Sequence, residues 1–220
     1  SMPLREFASI ARIFHDLNFN VVLPFHRAHG ESEGNYTTFA QKERYDVREW
    51  IFKVNALYGQ DLPVFLMGIS MGSSSVTMAA GLELPPNVRG VIADCGFTDS
   101  KEIVYWTLSN KYHLWPGVAK IVLKTFSVFC RKSANFDLSG CTTFDALNKT
   151  YLPFLFITGT ADKTVPHEMT MTNFLLYKQR HPDSARLVVI ENAPHAVSYM
   201  IDKERYKNEI IKFVKKYGAK

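Results

Sequence analysis

The run Pro63-Val64-Phe65-Leu66-Met67 is apolar, short, and halted by Gly68-Ile69-Ser70-Met71-Gly72, a G-x-S-x-G pentapeptide. Ser73 to Ala79 then continue as a helix. A strand that stops at a glycine and restarts at once as a helix forces the residue between them into a strained backbone, and small flanking residues let the turn close. Ser70 is that residue. Its hydroxyl would project from the end of a sheet, with Met71 N–H aimed into the same space at the positive end of the helix. Three fixed residues in five arise readily by chance, so the pentapeptide gains meaning only from the rest of the chain.

The rest of the chain alternates. Leu4, Phe7, Ile10, Ala11, Phe14 and Leu17 stand at helical spacing, which predicts an amphipathic helix ending near Asn18. Val21-Val22-Leu23-Pro24-Phe25 reads as a short strand, irregular or at an edge because Pro24 has no donor. It leads into a polar loop, His26 to Gly34, and then a helix with Val47, Trp50, Ile51, Val54 and Leu57 on one face. Strands are expected at Pro63–Met67, Val88–Cys95, Phe154–Gly159 and Arg186–Glu191, with a closing helix carrying Tyr206, Ile210, Phe213, Val214 and Tyr217. Such alternation predicts an α/β fold, a mostly parallel sheet with helices on both faces. Between Asp99 and Tyr151 no strand is apparent, while Ile103 to Leu108 and Val118 to Phe129 read as helices. An insertion of this kind, at about residues 100–150 of a single domain spanning 1–220, is expected to form a helical lid. Trp106 and Trp115 are its candidate substrate-binding residues, although most lid aromatics pack the lid onto the domain.

At 220 residues with 46% hydrophobic content, the chain can bury one sizeable core. The formal charge of +5 is spread along the sequence, and its densest cluster, Lys203 to Lys220, fits a solvated helix face better than a nucleic-acid patch. Cys95, Cys130 and Cys141 are odd in number and lack metal-site spacing; with no secretory signal, they favour a cytoplasmic setting. No apolar run approaches the roughly 20 residues of a membrane span. His26 and His29 form an H-x-x-H pair without a third ligand, so they read as loop residues, and no metal or organic cofactor is expected.

A serine hydroxyl is a poor nucleophile near neutral pH and needs a base, which in turn needs a group to fix its tautomer. In a parallel sheet these groups sit on loops after successive strands. Asp162 follows the strand at Phe154, and His195 follows the strand at Arg186. Three residues on three such loops outweigh the ordinary reading of Ser70 as a structural turn residue. Asp94, at the end of the Val88 strand, is the rival acid; Cys95 beside it, with no adjacent base, reads as a small core residue. The chain order Ser, Asp, His, the Gly68–Gly72 elbow, the G-x-x-D-x-x-V-P loop at Gly159–Pro166 and the His29–Gly34 loop together resemble an α/β-hydrolase. The likeness is nearest to small bacterial serine hydrolases, esterase-like or serine aminopeptidase-like, with a helical lid. It implies Ser70 as nucleophile, His195 as base, Asp162 as acid, Met71 N–H as an oxyanion donor, and a carboxylic ester or peptide-like small-molecule substrate. A peptidase, a thioesterase or a catalytically silent binding module of the same fold are the alternatives.

The resemblance also exposes a gap. In such hydrolases a strand ending in an oxyanion loop precedes the first helix and lies between the strands at Val21 and Pro63, yet here the helix begins at about Leu4. Either the sequence is a piece of a longer chain, or the protein is short and closes the gap by direct pairing or with a strand from a partner, which would make it a homo-oligomer.

Overall fold

The structure, a computed structural model, describes residues 4–218; Ser1 and Lys220 lie outside them, as does the side chain of Leu4. Helix α1 spans Leu4–His15, α2 Glu43–Tyr58 and α3 Met71–Ala79, with strand β1 at Val64–Ile69 and β2 at Val88–Asp94. Helices α4 (Ser100–Trp106), α5 (Pro116–Ser133) and α6 (Thr143–Leu147) follow, a single π turn at Thr107–Lys111 joining the first two. Strand β3 (Phe154–Gly159), α7 (His167–Arg180), β4 (Ala185–Ile190), α8 (Ser198–Ile201) and α9 (Lys203–Gly218) complete the order. The four strands pair in sequence order, β1-β2-β3-β4, and every pair is parallel.

Side chains alternate across the sheet and assign each helix to a face. Ile92, Leu155, Ile157, Val188 and Ile190 point toward Ile10, Ile13 and Phe14 of α1 and Tyr206, Ile210, Phe213 and Val214 of α9. Leu66, Val91, Ala93, Phe154 and Phe156 point the other way, toward Ile51 of α2, Val76 of α3 and Tyr177 of α7. Strand β3 is buried along its whole length, which is why Phe154 to Ile157 form an unbroken apolar run rather than an alternating one.

Two expectations fail, both on the β1 side. The segment Val21–Phe25 forms no strand; Leu23 is 60% exposed and Phe25 55% exposed. An extended segment becomes a strand only when a ladder partner lies about 4.8 Å away. Among the described residues β1 pairs with β2 alone; the ring that meets it here belongs to Phe19, ahead of the stretch, standing edge-on to Phe65 at 5.8 Å. The direct pairing that would close the gap does not occur. On α2 the packed stripe is Glu43, Val47, Ile51 and Asn55, whereas Trp50 is 43% and Leu57 63% exposed. Glu43 tolerates burial because it accepts from Thr38 N at 2.8 Å and Thr38 Oγ1 at 2.5 Å, leaving its charge satisfied.

Candidate active site

Ser70 sits between β1 and α3 with φ 58° and ψ −122°, a region that side chains rarely occupy and that costs about 1–3 kcal/mol. Close packing on both sides enforces it. A Cβ at Gly68 would lie 2.1 Å from Gly72 O, and one at Gly96 would lie 2.4 Å from Ser73 Oγ. Helix α3 is therefore built from small residues. Two of its buried hydroxyls find backbone acceptors, Ser74 Oγ donating to Phe97 O at 3.0 Å and Ser75 Oγ to Met71 O at 2.8 Å. Met71 opens the helix, where its N–H has no preceding turn to accept it.

The loops after β3 and β4 bring two side chains to Ser70. Ser70 Oγ and His195 Nε2 are 2.8 Å apart, and His195 Nδ1 and Asp162 Oδ2 are 2.7 Å apart. An ionised carboxylate only accepts, so Nδ1 carries the hydrogen and Nε2 is left free to accept from Ser70. Asp162 is held by its own turn: its Oδ1 accepts from Thr164 N and Val165 N, each at 2.9 Å. Its side chain is fully buried and that of His195 is 21% exposed. The two loops pack backbone to backbone, since a Cβ at Gly159 would meet Ala193 O at 2.2 Å. Asn192 and Ala196, flanking His195, both adopt positive φ.

Asp94 takes another place. It is buried beneath the site and accepts from Tyr206 Oη at 2.8 Å, while His195 Nδ1 is engaged by Asp162. Burial pushes the Asp94 carboxyl up to about 7, the Tyr206 hydrogen bond opposing this only in part. Burial likewise raises the Cys95 thiol well above its ordinary range. Of the two tryptophans expected to bind substrate, Trp106 packs with Met71 and Phe97 close to the elbow, whereas Trp115 is 81% exposed at the start of α5. A groove of about 670 Å³ between α4 and α5 is lined by charged residues such as Lys101, Glu102 and Lys124, and none of Ser70, Asp162 or His195 borders it.

His26 was legible in the sequence only as a loop residue. A Cβ at Gly72 would lie 3.5 Å from its Nε2, so its ring faces the elbow, and burial lowers its pKa. The loop is tied to α2 by Arg27, whose Nε and Nη2 donate to Asp46 at 2.7 and 2.5 Å. The His26 and His29 rings stand 6.3 Å apart.

Parallel sheet, serine elbow and the loops that meet it define the class: the chain is an α/β-hydrolase. The family described as serine aminopeptidase, S33, matches residues 4–140, more than half of the chain, and the chain belongs to it. The uncharacterized protein YqkD of Bacillus subtilis strain 168 is 26% identical over 204 residues, covering 92% of this chain and 64% of that protein. The chain thus spans just under two thirds of that relative's length. The Pyrococcus furiosus esterase Pf2001 shares the fold with a TM-score of 0.74 at 22% identity, over 96% of this chain and 74% of that one. DcsB, solved with a substrate analogue, aligns with a TM-score of 0.72 at 15% identity, over 97% and 86% of the two chains. No helix among the described residues is long and apolar enough to cross a membrane.

Proposed function

We propose that the protein is a serine hydrolase that cleaves a carboxylic ester with an apolar acyl or alcohol group. The observation that carries this reading is the row Ser70 Oγ, His195 Nε2, His195 Nδ1, Asp162 Oδ2, with contacts of 2.8 and 2.7 Å. His195 takes the Ser70 proton as Oγ attacks the ester carbonyl, and Met71 N–H faces the developing oxyanion. His195 then gives the proton to the departing alcohol. Water, activated by the same nitrogen, releases the acid and restores Ser70. Asp162 holds the tautomer and offsets the imidazolium charge throughout. The helices from α4 to α6 act as a lid over one domain, with Trp106 at its inner side. Esters rank ahead of amides because the segment from α4 to α6 is rich in aromatic residues and ester cleavage is the less demanding reaction; the esterase among the fold relatives agrees, and the family description keeps an aminopeptidase as the alternative. The three cysteines are free and buried, which suits a reducing cytoplasm.

A fluorophosphonate probe tests the reading. Wild type is expected to label and Ser70→Ala to lose labelling by at least about a thousandfold, with folding unchanged by circular dichroism. A folded wild type that does not label overturns it. Comparing p-nitrophenyl esters with aminoacyl p-nitroanilides then separates esterase from peptidase.

A further inference from the structure

Next to the His195–Asp162 pair lies a third donor, Cys95, that ester hydrolysis does not use. Sγ of Cys95, a carboxylate oxygen of Asp162 and a ring nitrogen of His195 all lie within 4.8 Å of one another. Cys95 is at the end of β2 and 2% exposed; Asp162 and His195 come from the loops after β3 and β4. Three strands thus deliver a thiol, a carboxylate and an imidazole to one point. Asp94, also 2% exposed, adds a second carboxyl, and its Oδ1 has no hydrogen-bond partner among the described residues.

We propose that Cys95, Asp162 and His195 form an inhibitory binding site for a thiophilic divalent cation of the zinc type. Sulfur, nitrogen and carboxylate oxygen are the donors zinc selects, at bonds of about 2.0–2.3 Å; to ligate one ion, His195 Nδ1 and Asp162 Oδ2, 2.7 Å apart in their hydrogen bond, part to admit it while Cys95 closes in. The fourth position falls to water. The protons balance as follows: the thiol releases one proton to solvent, Asp162 remains a carboxylate, and the metal replaces hydrogen on His195 Nδ1 while that hydrogen moves to Nε2. The net charge of metal, thiolate and carboxylate is zero. Inhibition follows from the tautomer, because an Nε2 that carries hydrogen cannot accept the Ser70 proton. Hard cations such as magnesium have no use for the sulfur and leave the site alone. With Cys95 buried, the ion must enter past His195, so inhibition sets in slowly.

Only the inhibitory consequence rests on the hydrolase reading, and binding is therefore tested apart from it. Cobalt(II) added to the full chain carrying Ser70→Ala is expected to give a thiolate-to-cobalt charge-transfer band that saturates at one equivalent. The band is expected to disappear when Cys95→Ala or, should that variant not fold, Cys95→Ser is added. In wild type, preincubation with zinc is expected to slow fluorophosphonate labelling by at least about tenfold, with recovery on addition of a chelator. Labelling of the Cys95 variant, relative to its own metal-free rate, is expected not to respond to zinc. A folded Ser70→Ala protein without the band, or a band that survives loss of Cys95, overturns the proposal. If wild type fails to label even without metal, the hydrolase reading falls while the cobalt band still decides the site.

Discussion

The two sides of the sheet centre are built to different standards. Toward β3 and β4, Phe154, Leu155 and Ile157 are completely buried, and Asp162 and His195 hang on loops locked together at Gly159 and Ala193. Toward β1, the sheet edge has no partner among the described residues, and Val21, Leu23, Phe25, Trp50 and Leu57 expose apolar surface. Asp162 and His195 therefore stand on a rigid floor, while the segment across Ser70 from them is held by side-chain ties such as Arg27–Asp46, Thr38–Glu43 and Gln41–Ser100 rather than by a strand ladder. On the proposed function, damage to either half of the molecule should have its own signature.

The largest expected effect tests the rigid half. Asp162→Asn is expected to lower hydrolysis by on the order of 10⁴ with little change in melting temperature, because an amide at that place favours the wrong His195 tautomer. Asp94→Asn keeps the row from Ser70 to Asp162 intact and should retain most activity; the opposite ranking, read from initial rates, would give Asp94 the role of the acid. Next comes stability. Ile157→Ala in β3 should cost about 2–5 kcal/mol by urea unfolding, the usual range for a fully buried aliphatic truncated to alanine. Leu23→Ala, on the open side, should stay within about 0.5 kcal/mol. Equal losses for Ile157→Ala and Leu23→Ala would erase the contrast between the halves and would mean that the outer segment is covered in solution.

What the sequence reveals depends on the same contrast. Buried strands announce themselves, since β3 is apolar from Phe154 through Ile157, and a residue just past a strand end is placed by the sheet whatever the loop does. Ser70, Asp162 and His195 are all of that kind. Val21–Phe25 is apolar enough for a strand, but pairing belongs to two segments at once, and only one is written there. The α2 face fails for a related reason: Glu43 and Asn55 pack inward through hydrogen bonds that hydropathy does not count, rotating Trp50 and Leu57 outward. His26 facing Gly72, Tyr206 reaching Asp94 and the convergence of Cys95 on His195 are long-range contacts with no local trace. Trp115 shows the converse, an aromatic residue whose type suggests a pocket and whose position is on the surface.

The absence of a side chain at Gly68 has a consequence for any saturation screen of this protein. With a neighbouring carbonyl 2.1 Å from where a methyl would go, position 68 should tolerate nothing, and so should position 159, where the corresponding distance is 2.2 Å. A growth or turnover screen would rank these two glycines with Ser70 and Asp162 as equally intolerant. Soluble yield sorts them: substitutions at the glycines lose molecules, whereas those at Ser70 and Asp162 leave the molecules and lose the chemistry.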